Sequence, residues 1–506
     1  MSATTAAPAP GAAPVHIGMD LGTTNTKAMA VDAAGQAVCV VSRPTVWDRP
    51  RTGWAEQPAQ RVVAAVDALL AEVVSRAGER LGAGVRVRSV GFTSMAESGA
   101  LVDPAGAAVS PVIAWFDPRG EEELATLDPE VAALFPGVTG LVVSPLASFF
   151  KLRWMAGQGL LRPGAQWLSV AELVCHHLGA DRFSERSLLG RTGLLDVHTG
   201  RPSALLLDAL GGDPAFVPPV VGAGAPLGTV RPDHPVAAAR GAVLTVAGHD
   251  HLVAAAGAGA ARWGTVFDSM GTAEAFVAAT DHVPDADTVA TMVAGGLAVY
   301  PHVVADTTAV LAGTKSGLVL QRVLRLLGRE DAAARAALDA AALAGTLGGD
   351  LDTGDVVVTG CRMSDFEVGV EVRGDGCTPE QVWSAAVSAT TRTAEEVLGL
   401  MREAGATANT VVVAGGWAHL ESIVRGRRAL APTVRLAAVR QSGVHGAALF
   451  GSWAAEQAER GAAPPEHPSP GPGWFEEHQA TSTPDHLTTT HGEANEQRRT
   501  RRDRHR

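Results

Sequence analysis

The chain contains little cysteine. Four cysteines occur among 506 residues, and no two of them form a CxxC pair. Thiols so far apart match neither a disulfide framework nor the ligand spacing of a zinc knuckle. We therefore expect free thiols, a reducing compartment and a cytoplasmic protein.

Long apolar runs and an excess of basic charge are also missing. The longest charge-free apolar stretch, residues 288–305, is interrupted by two glycines and a proline, which is unlike a membrane-spanning helix. Residues 1–14 have no basic start followed by an apolar core, so we expect no signal peptide. With 53 acidic against 41 basic side chains, the formal net charge is −12. This balance disfavours nucleic acid and anionic membranes as partners.

Lysine is rarer still. Only Lys27, Lys151 and Lys315 occur, beside 38 arginines. A lysine retained in such a composition can mark a position that needs a compact and flexible ammonium group, with chance as the alternative.

The length predicts more than one domain. With 506 residues, 46% of them hydrophobic, the chain is too long for one compact core. Alanine, proline and polar residues dominate the two ends, so we expect disorder at 1–14 and 459–506. Between these ends we expect two α/β domains, at 15–242 and 243–458.

Apolar patterns predict similar elements in both halves. From Val15, three short strands follow one another, and then come a helix at 58–78 and the strand VRVRSVGFTS. In the second half, the strand AVLTVAG precedes a helix that begins at Asp250. A long helix then leads into the strand NTVVVAGG. Gly415 and Gly416 at its end leave room for a nucleotide base or ribose, although a plain helix start is the simpler alternative.

Two turns of similar sequence lie about half the chain apart. Asp20 begins DLGTT, and Asp268 begins DSMGT 248 residues later (268 minus 20). We interpret the pair as an internal duplication with one such turn in each half. A coincidence of the common Gly-Thr pair is the alternative.

The first of these turns, within MDLGTTNTK at 19–27, carries the groups that a phosphate site needs. Backbone N–H groups and hydroxyls of such a turn can bind phosphate oxygens, Lys27 adds positive charge, and Asp20 at the strand end can hold Mg²⁺. No GxxxxGK[ST] phosphate loop competes with it. An ordinary polar hairpin is the alternative.

Asp250 lies where a strand gives way to a helix, among small residues. Phosphoryl transfer to an alcohol needs a carboxylate close to the hydroxyl, and Asp250 is a natural general base. A helix N-cap is one alternative. A metal pair formed by His249 and His251 is another, but it lacks a further ligand cluster.

The segment 96–120 predicts a sugar surface. It gathers Glu97, Trp115, Asp117 and Arg119, and carboxylates, arginine and an aromatic face suit a polyhydroxylated ligand. Surface charges around a core tryptophan are the alternative.

Taken in this order, the motifs resemble the FGGY carbohydrate kinases, members of the actin/Hsp70/hexokinase ATPase superfamily, over about residues 15–455. The segments that carry the resemblance are MDLGTTNTKAMAVD, GWAEQP, PVIAWFDPR, KLRW, RTGLLD, the Gly-His-Asp run ending at Asp250, DSMGT and AGG.

The resemblance implies two RNase-H-like α/β domains flanking a deep cleft, with ATP and Mg²⁺ on the second domain and the sugar mainly on the first. It implies that Asp250 is the catalytic base and also touches the substrate, and that Asp20 organises Mg²⁺. The partners implied are a small sugar, polyol or sugar acid and ATP, with a homodimer left open. The implied phosphate and nucleotide ligands are Gly22, Thr23, Thr24, Asn25, Lys27, Gly271, Thr272, Gly415 and Gly416. The implied substrate ligands are Glu97, Trp115, Asp117 and Asp250.

Some positions depart from the family pattern. Trp417 replaces the third glycine of the adenosine loop, Leu420 replaces a small polar residue, Gln441 replaces an acid, and 356–366 is shorter than the matching family segment. Two other function classes therefore stay open. One is a catalytically impaired sensor that binds sugar and nucleotide, and the other is an actin- or Hsp70-like ATPase.

Overall fold

The computed structural model describes most of the chain from residue 12 onward. The described ranges are 12–82, 84–211, 213–345, 355–365, 367–373, 376–461, 469–471 and 474–475. Residues 1–11 and 476–506, where we expect disorder, lie outside the described residues.

The strands occur throughout the described chain. They are β1 (Ala13–Leu21), β2 (Asn25–Val31), β3 (Ala37–Pro44), β4 (Glu56–Gln57), β5 (Val85–Ser94), β6 (Gly99–Val102), β7 (Val112–Ile113), β8 (Gln166–Ser169), β9 (Ser184–Glu185), β10 (Leu195–Asp196), β11 (Arg201–Pro202), β12 (Val220–Val221), β13 (Val243–His249), β14 (Thr265–Met270), β15 (Glu274–Thr280), β16 (Ala298–Pro301), β17 (Thr308–Thr314), β18 (Val356–Thr359), β19 (Gly369–Val372), β20 (Thr410–Ala414) and β21 (Thr433–Leu436).

The helices alternate with these strands. They are α1 (Ala59–Leu81), α2 (Glu121–Ala125), α3 (Pro129–Thr139), α4 (Ser148–Gly157), α5 (Val170–Leu178), α6 (Arg186–Thr192), α7 (Ala204–Leu210), α8 (Asp250–Gly257), α9 (Ala286–Ala294), α10 (Ser316–Leu326), α11 (Ala332–Gly345), α12 (Pro379–Glu403), α13 (Glu421–Arg428) and α14 (Ser442–Arg460).

Two sheets repeat one topology. The first has the order β3-β2-β1-β5-β13, and the second has the order β16-β17-β15-β14-β20-β21. In the first, β1 pairs antiparallel with β2 and parallel with β5. In the second, β14 pairs antiparallel with β15 and parallel with β20. The two Asp-to-Gly-Thr turns join the matching hairpins, which confirms the duplication as a repeat of topology. Both halves therefore have the actin-like ATPase fold that the sequence predicts.

The spacing of apolar residues in the sequence matches the buried faces of these strands and helices. The middle residues of β1 and β14 are buried on both faces, so these strands read as nearly continuous apolar runs, which is the pattern of covered sheets. Helix α1 instead buries a single face, with Val62, Val66, Leu69 and Val73 inside.

Helix α14 packs tightly on the first sheet because glycines line the contact. A Cβ atom on Gly18 would lie 2.0 Å from the Val444 carbonyl oxygen, and one on Gly91 would lie 2.1 Å from the Ala447 carbonyl oxygen. Neither approach tolerates a side chain. The C-terminal part of the chain thus covers the strand β1 that carries Asp20.

Three details differ from the sequence-based expectations. Residues 13–14 belong to β1 rather than to a disordered end, because Ala13 continues the ladder with Val85. Phe475, in the tail expected to be disordered from 459, is buried against Phe450 at a ring distance of 5.1 Å.

The third difference concerns the domain boundary. The boundary between 242 and 243 assigns β13 to the second domain, whereas β13 pairs with β5 in the first sheet. We therefore propose that the first domain extends to about the end of α8. The second domain would then begin shortly before β14.

Among the residues that the structure describes, no helix is both long enough and apolar enough to cross a membrane.

Candidate functional site

The first turn presents an unpaired carboxyl group. Asp20 lies near the end of β1, where the chain turns toward β2. Its Oδ1 atom is buried and has no hydrogen-bond partner among the described residues. A Cβ atom on Gly443, at the start of α14, would lie only 3.1 Å from Oδ2. The absence of a side chain there keeps space open beside the carboxyl group.

Burial and a neighbouring acid control the charge of Asp20. Desolvation, and next the negative charge of Asp250, raise the pKa of Asp20 to about 7, although Lys27 opposes them. Two acids from different motifs therefore lie close enough to interact. The structure thus brings together two residues that the sequence predicts for one site, Asp20 and Asp250.

Lys27 is paired across the molecule rather than left to face solvent. It lies opposite Asp20 in the β1–β2 register, and its Nζ donates to Oε1 of Gln441 at 2.8 Å. Gln441, one of the positions that depart from the family pattern, thus anchors the ammonium group beside the first turn.

Asp250 is the first residue of α8 and follows β13 directly. Its Oδ1 accepts from the backbone N–H of His251 at 2.8 Å and from Nε2 of His249 at 3.0 Å. Among the described residues Oδ2 makes no hydrogen bond. Burial opposes ionisation, but the two histidines outweigh it and lower the pKa of Asp250 to about 2. The carboxylate is therefore ionised and has one oxygen free to accept a proton.

The same residues resemble a metal cluster in spacing alone. Ligand atoms of His249, Asp250 and His251 lie within 4.8 Å of one another. However, Nε2 of His249 contacts Asp250. Nδ1 of the same ring lies 2.9 Å from the hydroxyl of Tyr300. Both ring nitrogens are thus engaged inside the protein, which argues for a hydrogen-bonded network rather than a metal pair.

Glu97 joins this network through an arginine. The Oε1 atom of Glu97 accepts from Nε of Arg191 at 2.7 Å and also from its Nη2. The guanidinium group also lies over the ring of Tyr300, 5.1 Å from the ring centre. Burial is offset by Arg191, and next by His249, so the pKa of Glu97 is lowered. Glu97 and Asp250 therefore lie in one charged network, and their contact with a sugar stays a prediction.

Trp115 connects the predicted sugar surface to the first turn. Its indole Nε1 donates to the hydroxyl of Thr23 at 2.8 Å. The buried Lys151 donates to the backbone oxygens of Trp115 at 3.0 Å and Pro145 at 2.6 Å. Burial lowers the pKa of Lys151 to about 8. Lys151 thus stabilises the backbone around Trp115 through these hydrogen bonds.

Asp117, a predicted substrate ligand, is bonded to groups of the protein itself. Its two oxygens accept four hydrogen bonds, one from the N–H of Ala55 and three from Arg119. A carboxylate offers about four such positions, so none remains for a sugar hydroxyl. Arg119 also bonds Glu56 at 2.6 Å and stacks on Trp54. We propose that Asp117 positions this loop instead of contacting the substrate.

The second turn and the glycine loop are packed together. Gly415 has φ of +98°, and a Cβ atom there would lie 2.3 Å from the Met270 carbonyl oxygen. Trp417 donates from Nε1 to the Gly271 carbonyl oxygen at 3.1 Å. Thr272 is exposed at the tip of the turn. A Cβ atom on Gly416 would have no neighbouring atom within 4 Å. The four predicted ligands of this half are therefore close together.

Beneath the second turn lies a buried ion cluster, in which Oδ1 of Asp268 has no hydrogen-bond partner among the described residues. Arg427 donates from Nε to Oδ2 of Asp268 at 2.8 Å and from Nη2 to Glu274. Thr314 also donates to Glu274 at 2.5 Å. All three charged side chains are fully buried or nearly so.

Three residues of these networks escaped the sequence analysis as site residues. Arg191 lies in RTGLLD, where only its family context was noted, and Arg427 is one of many arginines. Tyr300 gave one usable signal, because it is the only tyrosine in the chain. None of the three has a local motif that reveals its distant partner.

Fold and site together define a class of protein. Two α/β domains of the actin-like ATPase fold carry matching Asp-to-Gly-Thr turns, and an ionised aspartate with a free oxygen faces the first turn. This combination defines an actin-like ATPase fold with an acidic site at its first turn. Residues 15–257 match the model of the N-terminal domain of the FGGY family of carbohydrate kinases. This part of the chain is thus similar to the FGGY family, as the sequence motifs indicate.

Curated relatives support the same family. An L-fuculokinase of Salmonella typhi is 28% identical over 262 residues, which cover 50% of this chain and 54% of the relative. A glycerol kinase of Geobacter sp. (strain M21) is 31% identical over 141 residues, which cover 28% of each chain. The chain thus spans about half the length of the first curated relatives that it matches.

Solved structures extend the similarity of fold to nearly the whole chain. The xylulose kinase from Rhodospirillum rubrum is 25% identical, with a TM-score of 0.80 and 97% of each chain covered. The glycerol kinase of Plasmodium falciparum with ADP has the same TM-score and coverage at 14% identity, which shows the fold alone.

Proposed function

We propose that the protein transfers the γ-phosphoryl group of ATP to a hydroxyl group of a small sugar or polyol. The observation that carries this proposal is the juxtaposition of Asp250, with its free Oδ2, and the unpaired carboxyl group of Asp20. The match of residues 15–257 to the FGGY family model supports the same reaction.

Asp250 acts on the acceptor. Its Oδ2 accepts the hydrogen bond of the reacting hydroxyl, orients an oxygen lone pair toward the γ-phosphorus, and takes up the proton as the new P–O bond forms and the bond to ADP breaks. A carboxylate with a pKa of about 2 is a weak base. Its main contribution is therefore orientation, which suits a loose transition state in which the proton moves late.

Asp20 has the properties of a Mg²⁺ ligand. Its buried Oδ1 lacks a partner among the described residues, and Gly443 leaves space beside Oδ2. Mg²⁺ bound here would neutralise phosphate oxygens and relieve the cost of ionising this buried carboxyl group. The exposed Thr24 and Thr272 present hydroxyls at the tips of the two turns for phosphate binding, in line with the sequence prediction.

The charges of the acceptor site favour a neutral substrate. The positive charge of Arg191 is already paired with Glu97, and Asp250 adds a further carboxylate, which would repel an anionic acceptor. The ammonium group of Lys151 is directed at backbone carbonyls. We therefore place ketoses and polyols ahead of sugar acids as acceptors. The cytoplasmic location and the homodimer stay predictions.

A coupled assay of ADP release tests the proposed function. The acceptors are pentuloses, hexuloses including 6-deoxy sugars, tetritols, glycerol and aldonates, each with ATP and Mg²⁺. We expect release with at least one neutral acceptor and a phosphate ester among the products. ADP release that is equal with and without every acceptor would instead support an ATPase. Silence of the folded protein across the whole panel, with sugar and ATP still bound, would support the sensor.

A further inference from the structure

One side chain of the second sheet reaches into the acceptor site of the first. Tyr300 lies in β16 at the edge of the second sheet and is fully buried. Its hydroxyl is 2.9 Å from Nδ1 of His249, the last residue of β13 in the first sheet. A hydrogen bond between the two halves therefore lies one residue away from Asp250.

The direction of each hydrogen bond follows from the acceptor at its end. A carboxylate can only accept, so Nε2 of His249 carries the hydrogen that it donates to Asp250 at 3.0 Å. In the neutral ring Nδ1 then holds the lone pair and accepts from the Tyr300 hydroxyl. Tyr300 thereby selects the histidine tautomer that can donate to Asp250.

The backbone of His249 is fixed as well. Its N–H donates to the hydroxyl of Ser187 at 3.0 Å, and that hydroxyl donates to Oε2 of Glu185 at 2.6 Å. Since main chain and ring are both held, the imidazole has little freedom to rotate. Tyr300 supplies the bond that fixes the ring.

Glycines in the first half of the chain allow the strand that carries this tyrosine to pack closely against it. The N–H of Val299 donates to the Gly140 carbonyl oxygen at 2.9 Å. A Cβ atom on Gly140 would lie 1.7 Å from the Val299 carbonyl oxygen, and one on Gly190 would lie 3.1 Å from Cβ of Tyr300. Two glycines thus permit β16 to lie against the first half.

We propose that Tyr300 is a positioning residue of the transfer reaction, which acts through His249 to hold Oδ1 of Asp250 and aim Oδ2 at the acceptor. This inference rests on the proposed function. Tyr300 bonds the far side of His249 rather than the oxygen left for the acceptor. Its effect therefore passes through the histidine.

A double-mutant cycle tests the proposal in the full-length protein. For Tyr300→Phe we expect kcat to fall about tenfold because Asp250 is less well aimed, with KM for the acceptor within about twofold. For His249→Ala we expect a fall of about 100-fold. In the His249→Ala background, Tyr300→Phe should have no further effect, since the residue through which it acts is gone.

A second histidine provides the matched control. His198 also makes a ring hydrogen bond, to the Gly137 carbonyl oxygen at 2.9 Å, but lies outside the network. His198→Asn should leave kcat within about twofold of the wild type. A merely structural Tyr300 would lower the melting temperature and leave kcat intact.

Two results would overturn this inference and leave the proposed function standing. In the first, the wild type is active and Tyr300→Phe leaves kcat unchanged. In the second, the losses of kcat from Tyr300→Phe and His249→Ala multiply in the double variant. A wild-type protein that is silent with every acceptor would instead overturn the proposed function, and the inference with it.

A spectroscopic measurement reads the contact without turnover. Because the chain has a single tyrosine, labelling with 3-fluorotyrosine gives one ¹⁹F resonance. We expect His249→Ala to shift that resonance and His198→Asn to leave it in place. If His249→Ala leaves the resonance unshifted, in variants that remain folded by circular dichroism, the hydrogen bond and the positioning role would both be contradicted.

Discussion

The two Asp-to-Gly-Thr turns have the same topology and differ in one ion pair. In both, Oδ1 of the aspartate is buried without a partner among the described residues, and a second acid, Asp250 or Glu274, lies nearby. In the second, Asp268 is bonded to Arg427, which also holds Glu274. The first hairpin thus presents an open carboxyl group, one without an ion pair among the described residues, whereas the second pairs Oδ2 of its aspartate with an arginine.

The difference shows how a repeat can divide its roles. Burial raises the pKa of both aspartates, with the neighbouring acid as the second cause in each case. In the second turn Arg427 opposes this rise through an ion pair with Asp268. In the first turn Lys27 opposes it without an ion pair to Asp20 among the described residues, and we infer that a ligand supplies the direct partner. We infer that Asp20 of the first turn serves chemistry and that Asp268 of the second turn serves architecture.

The comparison predicts its largest effect at Asp20. Asp20→Asn should reduce acceptor-dependent ADP release about a thousandfold, because the substitution removes the carboxylate proposed to hold Mg²⁺. Asp268→Asn is the matched control from the other turn, and we expect it to retain transfer within about fivefold. Equal losses in both variants would contradict the division of roles.

The converse prediction concerns stability. Arg427→Met leaves Asp268 and Glu274 buried without their cation, so the free energy of unfolding should fall by about 3 kcal/mol. Urea denaturation followed by circular dichroism measures the change. Adding Asp268→Asn and Glu274→Gln should recover most of the loss. An Arg427→Met variant as stable as the wild type would show that the cluster contributes little to the architecture.

The open carboxyl group should carry a pH-dependent cost. Unfolded Asp20 ionises near its ordinary pKa of about 3.9, whereas the folded protein keeps the proton until about pH 7. Folding therefore takes up a proton between these values, and the Asp20 contribution falls as pH rises through them.

Asp20→Asn removes this dependence. Without Mg²⁺ or ATP, the variant should be more stable than the wild type by on the order of 2 kcal/mol at pH 8 and by less at pH 5. Thermal denaturation at both values checks the sign. A stability difference that shrinks toward pH 8 would contradict the raised pKa.

The smallest predicted effect tests the space beside Asp20. In Gly443→Ala the new methyl group lies about 3.1 Å from Oδ2 of Asp20, so the Mg²⁺ concentration for half-maximal rate should rise about tenfold. Gly399→Ala, in a helix with no atom within 4 Å of its Cβ position, is the control and should leave it unchanged. Identical Mg²⁺ dependence in the two variants would rule out a cation at Oδ2.

The sequence predicted the hairpins well because their information is local. The run from Val15 to Lys27 contains apolar strand residues, a Gly-Thr turn and a terminal acid in one segment, and the structure confirms the strands and the turn. The start of α8 at Asp250 was equally readable. The roles of Asp20 and Asp250 remain predictions.

The partners of these residues were less readable because they are distant in sequence. Arg427 lies 159 residues from Asp268, and His249 lies 51 residues from Tyr300. Their patterns are those of ordinary core or helix residues. Asp117 illustrates the opposite case, since a suggestive local motif turned out to have every acceptor position filled by Ala55 and Arg119.

The most direct test of the central claim is the Asp250→Asn variant with an acceptor on which the wild type is active. The amide keeps the shape of the side chain but cannot accept the hydroxyl proton. Acceptor-dependent ADP release should fall to the background rate, while ATP affinity measured by isothermal titration calorimetry stays within about twofold of the wild type. Turnover close to that of the wild type would contradict the assignment of Asp250 as the base.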